Sequence, residues 1–540
     1  MSVVRDTSNY SPLQVARLVY DTPIPDVLKG SCKIEDVPVS AISDPAIAKY
    51  FPHTINSKKV RIVSSDSPSM SPALRVGVVL SGGQAPGGHN CISGLFDGLK
   101  AINPESTLYG FLGGPSGILE QKYIELTAEY IAPFRNQGGF DIIGSGRTKI
   151  ESSGDFAKAA ECAKTMELDA IIVIGGDDSN TNAANLAEYF RANQLKTSVI
   201  GLPKTIDGDL KNKDIEISFG FHTACMVYSE LIGNIQTDCN SAKKYYHFIR
   251  LMGRAASHIA LECGLQTRPN MVIISEEVLA KNWSLHDVVN QIADMVEKRA
   301  EIGKNFGVIL IPEGLIDFIP EISKLIGELN DILSGTSETV TNDLVRSKLS
   351  AASLAAFDFL PGNIQSQLML DRDPHGNVQV SRIETERLLI ELVSREMQTR
   401  QSFKGKFNGL SHFFGYEGRC SLPTNFDSKY CYVLGRTAAI LTANGCTGMM
   451  AQACDLTKPT EEWIVGGVPI ATMCGVERRK GKDVPVVTKA LVLLEDPPFK
   501  YLCQEREGWA LTDCYRNPGP IQFYGPTSED IAVTLALERS

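Results

Sequence analysis

No Cys-x-x-Cys pair occurs among the thirteen cysteines of this chain, and their odd number and scatter supply no disulfide framework. Cys32, Cys91, Cys162, Cys263 and Cys446 are therefore expected to be reduced thiols that pack as small hydrophobes. Long apolar runs are missing too: nothing approaches the roughly 18 residues of a membrane helix, so no membrane partner is expected. The first twenty residues mix Arg5, Asp6 and Arg17 with polar side chains where a secretory leader needs an unbroken apolar stretch. The expected location is the cytoplasm. Positive charge is in deficit, with 53 Lys and Arg against 63 Asp and Glu and a formal net charge of -10, so no surplus exists to neutralise a nucleic-acid backbone. The eight histidines include His89, His222, His247 and His258, and none has a second ligand at helical metal-binding spacing.

What is present is the composition of a globular protein, 43% hydrophobic and 21% charged, in 540 residues, more than one ordinary core can hold. Residues 1–70 form an N-terminal extension that ends in a polar Ser/Pro tract, 64–72. Val76-Gly77-Val78-Val79-Leu80 is then a short apolar run that stops at a glycine cluster, followed by a helical pattern over 92–99. The same grammar recurs at Ala170 to Ile174, which ends in Gly175-Gly176-Asp177-Asp178 before a helix over 182–191. Further strands are predicted at 197–202, 247–251, 270–275 and 306–312, and around Met449 and Val486. Strand, turn and helix in alternation predict an α/β protein with parallel, doubly wound sheets. Between 316 and 400 the texture turns helical, with amphipathic segments at 322–333 and 384–397, and predicts a mostly helical insertion.

In such sheets ligands bind beyond the carboxyl ends of the strands, where the glycine- and aspartate-rich turns fall. Ser81-Gly82-Gly83-Gln84-Ala85-Pro86-Gly87-Gly88-His89-Asn90 offers backbone N–H groups to phosphate oxygens at a helix start. It has neither the GxGxxG spacing of a dinucleotide fold nor the lysine of a Walker loop. Asp177 and Asp178 repel one another unless a cation intervenes, which suits magnesium, although an N-cap role for Asp178 explains the same residue. Pro203-Lys204-Thr205-Ile206-Asp207-Gly208-Asp209 sets two further carboxylates beside a lysine, a base and a charge for the transferred group, with a plain Asp-Gly turn as the bland alternative. With the arginine turns Gly144-Ser145-Gly146-Arg147 and Met252-Gly253-Arg254, these are parts for phosphoryl transfer.

This set, with Pro312-Glu313-Gly314, strongly resembles the phosphofructokinases in identity, order and spacing, from about residue 70 to about 490. ATP-dependent members carry GGDG and GTIDND. Here the chain reads Gly-Gly-Asp-Asp and Lys-Thr-Ile-Asp-Gly-Asp, marks of the pyrophosphate-dependent branch. The stretches Lys244-Tyr245-Tyr246-His247-Phe248 and Gly415-Tyr416-Glu417-Gly418-Arg419 look like its long form from plants, protists and some bacteria.

The resemblance implies two Rossmann-like domains. One, 71–240, would bind pyrophosphate and Mg2+; the other, 241–315 with 401–490, would bind fructose 6-phosphate; 491–540 would be a C-terminal segment. The implied reaction is reversible phosphorylation of the sugar's C1 hydroxyl to fructose 1,6-bisphosphate with release of phosphate, in glycolysis and gluconeogenesis. Asp207 would be the base, Asp177 the magnesium ligand, Gly83 with Asp178 and Lys204 the pyrophosphate site, and Arg147 with Lys204 the stabilisers of charge in transit. Thr205, Ile206, Asp209, Met252, Gly253, Arg254 and Glu313 would line the sugar, and Tyr416, Glu417, Gly418 and Arg419 would lie at its 6-phosphate. Lys244 and Tyr245 would reach in from a neighbouring subunit, which implies a homodimer or higher homo-oligomer. The chain departs from the ATP-using members at Leu410-Ser411-His412, where they place an arginine.

Asp178 would repel the α-phosphate of ATP; unit charges about 4 Å apart at an effective dielectric near 20 cost roughly 4 kcal/mol. The other readings are an ATP-dependent enzyme and a non-catalytic regulatory chain. Intact Asp177, Lys204 and Asp207 speak against the second, since a silent chain has no chemical use for them.

Overall fold

The computed structural model describes residues 5–38, 45–66, 71–334, 341–370, 378, 382–479 and 482–540. Part of the Ser/Pro tract, 67–70, and parts of the 316–400 insertion, 335–340, 371–377 and 379–381, lie outside the described residues. The chain divides into two compact units. The first comprises Met1–Ala224, Tyr416–Ala490 and Gln522–Ile531, and the second Cys225–Gly415, Leu491–Ile521 and Ala532–Ser540.

In the first unit the strands are β1 (Cys32–Val37), β2 (Lys59–Ser64), β3 (Arg75–Leu80), β4 (Thr107–Phe111), β5 (Tyr123–Glu125), β6 (Ala170–Gly175), β7 (Ser198–Thr205) and β8 (Phe219–Gly220). The second unit supplies β9 (Tyr246–Leu251), β10 (Met271–Val272), β11 (Gly307–Pro312) and β12 (Gly409–Phe414). The chain then returns to the first with β13 (Met449–Cys454), β14 (Ile464–Pro469), β15 (Cys474–Arg479) and β16 (Lys482–Val487). The large sheet runs β1-β2-β14-β13-β7-β6-β3-β4-β5, with β8 paired to β7. Its middle strands β13, β7, β6, β3 and β4 are parallel and its margins antiparallel. All six residues of β6 are buried, as a central parallel strand covered on both faces requires. The expected α/β class with parallel sheets is what the chain adopts.

Two features went unread in the sequence. The N-terminal extension is not separate from the core, since β1 and β2 extend the sheet beyond β14. Residues 270–275, expected as one strand, give only the short β10 before a helix, Ser275–Ala280, begins.

Helix Gly88–Ile102, which follows β3, lies against helix Asn425–Ala443 so closely that a Cβ at Gly94 would collide with the Tyr432 carbonyl. Likewise a Cβ at Gly435 would meet the Cys91 carbonyl. This backbone-to-backbone packing anchors the glycine turn at the head of the first helix.

The second unit has its own parallel sheet, β10-β11-β9-β12. Helices Leu285–Glu301, Pro320–Ser334, Ala351–Phe359 and Thr385–Thr399 pack with it around one apolar cluster that includes Phe248, Ile292, Leu325, Phe357 and Leu389. The predicted helix at 322–333 falls within one of these, and that at 384–397 matches another whose N-cap is Glu384. Inside this unit Arg250 Nε sits 2.7 Å from Glu386 Oε2, both side chains at most 6% exposed, with the guanidinium 4.0 Å from the Phe413 ring centroid. Burial raises the Glu386 pKa despite the attraction of Arg250.

Removing one partner of such a pair strands the other charge, so Glu386→Ala is expected to lower stability by about 3–5 kcal/mol, read as a fall in thermal midpoint. The double replacement Arg250→Met with Glu386→Leu should recover most of it. A Glu386→Ala protein as stable as wild type would show that the pair does not hold this unit together.

Candidate active site

The first unit gathers its glycine, aspartate and lysine turns at the carboxyl ends of β3, β6 and β7. Ser81 N–H donates to the Ile174 carbonyl at 2.8 Å and Gly82 N–H to the Gly146 carbonyl at 2.8 Å, so the β3 turn is tied to β6 and to the Arg147 turn. The Ser179 hydroxyl donates to Ser81 Oγ at 2.8 Å, closing the same seam through side chains. At Gly83 the space a Cβ would take is held by the Arg419 guanidinium, the end of a flexible side chain, with Arg147 Nη2 3.7 Å from that position. Arg419 also donates to Gln84 Oε1 at 3.0 Å. Two guanidiniums therefore converge on the turn that was expected to bind pyrophosphate. Arg419, assigned through the resemblance to the sugar phosphate, lies in this unit against Gly83, under the exposed Tyr416 ring at 5.2 Å.

At the end of β6 the helix Asp177–Ala192 begins with Gly176 as its N-cap. Asp178 is therefore not the cap. Both aspartates stand in the first turn, where the helix's positive end favours negative charge. They face different cations: Asp178 Oδ2 lies 3.6 Å from Lys149 Nζ, and Asp177 Oδ2 lies 3.5 Å from Lys489 Nζ. Asn180, fully buried, donates from Nδ2 to the carbonyls of Gly175 at 2.7 Å and Gly176 at 3.0 Å, with Leu202 at 3.3 Å, and so staples the ends of β6 and β7 together.

Strand β7 runs through Lys204 and Thr205, three residues beyond the expected end at 202, because β8 pairs with these two positions. Lys204 is thus drawn into the protein, 6% exposed. Burial pulls its pKa down to about 8; Asp207 and Asp177 oppose the fall, and Arg419 and Arg147 add to it. Beyond the strand, Asp207 N–H donates to Thr205 Oγ1 at 3.0 Å and Gly208 adopts φ +73, a left-handed turn that glycine accommodates. Ile206 is buried beneath the turn. Asp209, 4% exposed, is pushed well above the usual carboxylate range by burial first and by the charges of Asp207 and Asp177, with Lys489 opposing.

Lys489, Lys149, Asn180 and Ser179 were missed as site residues. Asn180 and Ser179 directly follow the aspartate pair in sequence, a signal that could have been followed. Lys489 gives no local signal at all. Glu417 is exposed and Gly418 buried in the short helical turn Tyr416–Gly418.

The second unit carries the other expected residues. Gly253 N–H donates to Glu313 Oε2 at 3.2 Å, just beyond β11, and Met252 N–H to the Phe414 carbonyl at the end of β12 at 3.0 Å, which sets the turn after β9 beside both strand ends. Arg254 is exposed, and Asp317 rises to about 6 through burial, with Arg254 opposing. Lys244 is exposed and Tyr245 half-buried at the start of β9.

Among the described residues no three His, Cys, Asp or Glu side chains cluster as a metal cage. No helix among the described residues is long and apolar enough to cross a membrane.

The phosphofructokinase family profile matches residues 75–353. The chain is 57% identical over 538 residues to the pyrophosphate–fructose 6-phosphate 1-phosphotransferase subunit beta 1 of Arabidopsis thaliana, covering 98% of this chain and 95% of that one. It is 51% identical over 544 residues to the pyrophosphate–fructose 6-phosphate 1-phosphotransferase of Porphyromonas gingivalis, covering 98% and 99%. Among solved structures, the pyrophosphate-dependent phosphofructokinase of Marinobacter aquaeolei shares the fold with a TM-score of 0.52 at 15% identity, over 83% of this chain and 95% of that one.

Proposed function

The chain belongs to the phosphofructokinase family, and from that premise we propose that it moves a phosphoryl group between pyrophosphate and the C1 hydroxyl of fructose 6-phosphate. The C1 oxygen attacks one phosphorus of pyrophosphate, the bridging P–O bond breaks, phosphate leaves, and the hydroxyl proton passes to Asp207. Reversal consumes fructose 1,6-bisphosphate and phosphate. One observation carries this reading: a buried ammonium, Lys204, shares its surroundings with Arg147 and Arg419 at the Gly82–Gly83 turn. Three cations around an open backbone turn suit a compact, highly charged donor whose charge must be met as the P–O bond breaks.

The two carboxylates after β7 take different jobs. Asp207, on the turn, is the base of this reading, while Asp209 is the more deeply buried of the two, its pKa raised by burial, and lies beside Lys489. Thr205 orients the Asp207 backbone. Asp177 would hold Mg2+, which supplies charge neutralisation on the donor's oxygens when bound. In the second unit Met252, Gly253, Arg254 and Glu313 are the sugar-binding residues of this reading, supported by the hydrogen bond that joins the Gly253 turn to Glu313. Lys244 and Tyr245 are proposed to serve a neighbouring subunit's site, which makes the working form at least a dimer. The cytoplasm is the proposed location.

The test is a coupled assay of purified protein with fructose 6-phosphate and Mg2+, given pyrophosphate or ATP in turn. Turnover with pyrophosphate is expected. Turnover with ATP alone would overturn the donor assignment, and none with either would remove the enzymatic reading.

A further inference from the structure

Lys489 belongs to none of the motifs that mark the family, and it lies 280 positions beyond the Asp209 it faces. Its ammonium is 3.5 Å from Asp177 Oδ2 and 3.9 Å from Asp209 Oδ2. The backbone that carries it is tethered to both turns. On one side Val487 N–H donates to Thr181 Oγ1 at 2.8 Å, and that hydroxyl donates to the Asp177 carbonyl at 2.9 Å. On the other, Ala490 N–H donates to the Asp209 carbonyl at 2.7 Å. Between them Thr488 N–H donates to the Met473 carbonyl at 3.0 Å. A solvated surface lysine has no such anchorage. Here the two residues flanking Lys489 and Thr488 are bonded to the elements whose carboxylates the ammonium meets, and two thirds of its side chain is covered.

We propose that Lys489 is a positioning residue of the phosphoryl-transfer site: an internal counter-cation that holds the Asp177 and Asp209 carboxylates in place and competes with the divalent ion for Asp177. This rests on the reading of Asp177 as the metal ligand. The division of labour follows from the geometry. Lys204 meets the charge of Asp207 and Asp177 from inside the protein, and Lys489 meets Asp177 and Asp209 from the covering segment. With a metal bound, Asp177 would serve as its ligand in place of the contact with the ammonium, while Asp209 would keep Lys489 as its partner.

The experiment measures Mn2+ binding to the full-length protein by electron paramagnetic resonance, without sugar or pyrophosphate, alongside steady-state kinetics. With the competing charge gone, Lys489→Met should bind Mn2+ roughly tenfold more tightly, yet show a roughly tenfold or larger fall in kcat and a higher KM for fructose 6-phosphate as Asp209 loses its anchor. Lys489→Arg should return both readouts toward wild type. Lys489→Gln gives the same reading if the Met variant does not fold. Wild-type Mn2+ affinity and kinetics in the uncharged variants would overturn the proposal. Asp177→Asn separates the two layers of inference: if it binds Mn2+ as well as wild type, the metal assignment of Asp177 falls, and the proposed competition with it. If Asp177→Asn loses Mn2+ while Lys489→Met is unchanged, only the role of Lys489 falls.

Discussion

Replacing Asp207 with serine is expected to lower turnover by about 10³–10⁴-fold while leaving substrate KM values within a few-fold of wild type. The sugar hydroxyl is a poor nucleophile until its proton is taken, and that proton needs an ionised acceptor on the substrate side of the turn. Asp207 is the proposed acceptor. Its backbone is held by Thr205, and Gly208 supplies the tight turn that follows. Serine keeps a small polar side chain and the turn, so the loss reports the base rather than a collapsed loop. Rates with pyrophosphate measured in both directions check this. A variant that retains a tenth or more of wild-type kcat would show that the proton goes elsewhere.

The second large effect is expected at Lys204. Lys204→Met should cut kcat/KM for pyrophosphate by about 10²–10³-fold, since it removes the buried member of the three cations at the Gly83 turn. Its stability should move the other way. Burial lowers the Lys204 pKa from 10.5 to about 8, so the folded protein binds fewer protons than the unfolded chain between those values. Stability from this group is therefore complete only above about pH 10.5 and is lost as pH falls to about 8. At pH 7 the charged lysine costs about 3 kcal/mol, which methionine relieves. Lower activity with a higher thermal midpoint at pH 7 is the signature. In the wild type, kcat/KM for pyrophosphate should decline above about pH 8 as the ammonium is lost, a limb that Lys204→Met should lack. A variant that is both less active and less stable would show that Lys204 serves packing.

By comparison Asp178→Gly should matter less than its place in the motif suggests. Its side chain is 48% exposed and lies 3.6 Å from Lys149, so water and a counter-ion screen it. Near the dielectric of water the repulsion of a phosphate about 4 Å away falls from roughly 4 to about 1 kcal/mol. In the proposed mechanism the weight of pyrophosphate recognition therefore falls on Lys204 rather than Asp178.

Much of this was legible in the order of residues. Apolar runs that stop at glycine mark β3 and β6, since a buried parallel strand and the turn after it leave that pattern whatever lies around them. Asp177, Lys204, Asp207 and Asp209 could be picked out because they sit on those turns. The extent of β7 could not be read, because pairing with β8 rather than local pattern carries the strand through Lys204. Nor could the burial of Ile206, the pairing of Asp178 with Lys149, or the contact of Arg419 with Gly83 across more than 300 positions.

The sequence by itself determined the α/β class, the strand-end turns and the kind of chemistry they carry, because period, glycine placement and side-chain type are local properties of the chain. Only the tertiary structure decided which charges meet: Lys489 with Asp177 and Asp209, Arg419 with the glycine turn, Lys204 inside and Asp178 outside. Those encounters depend on how distant segments pack, and burial and proximity, which packing alone sets, decide which ionisable residues share a neighbourhood.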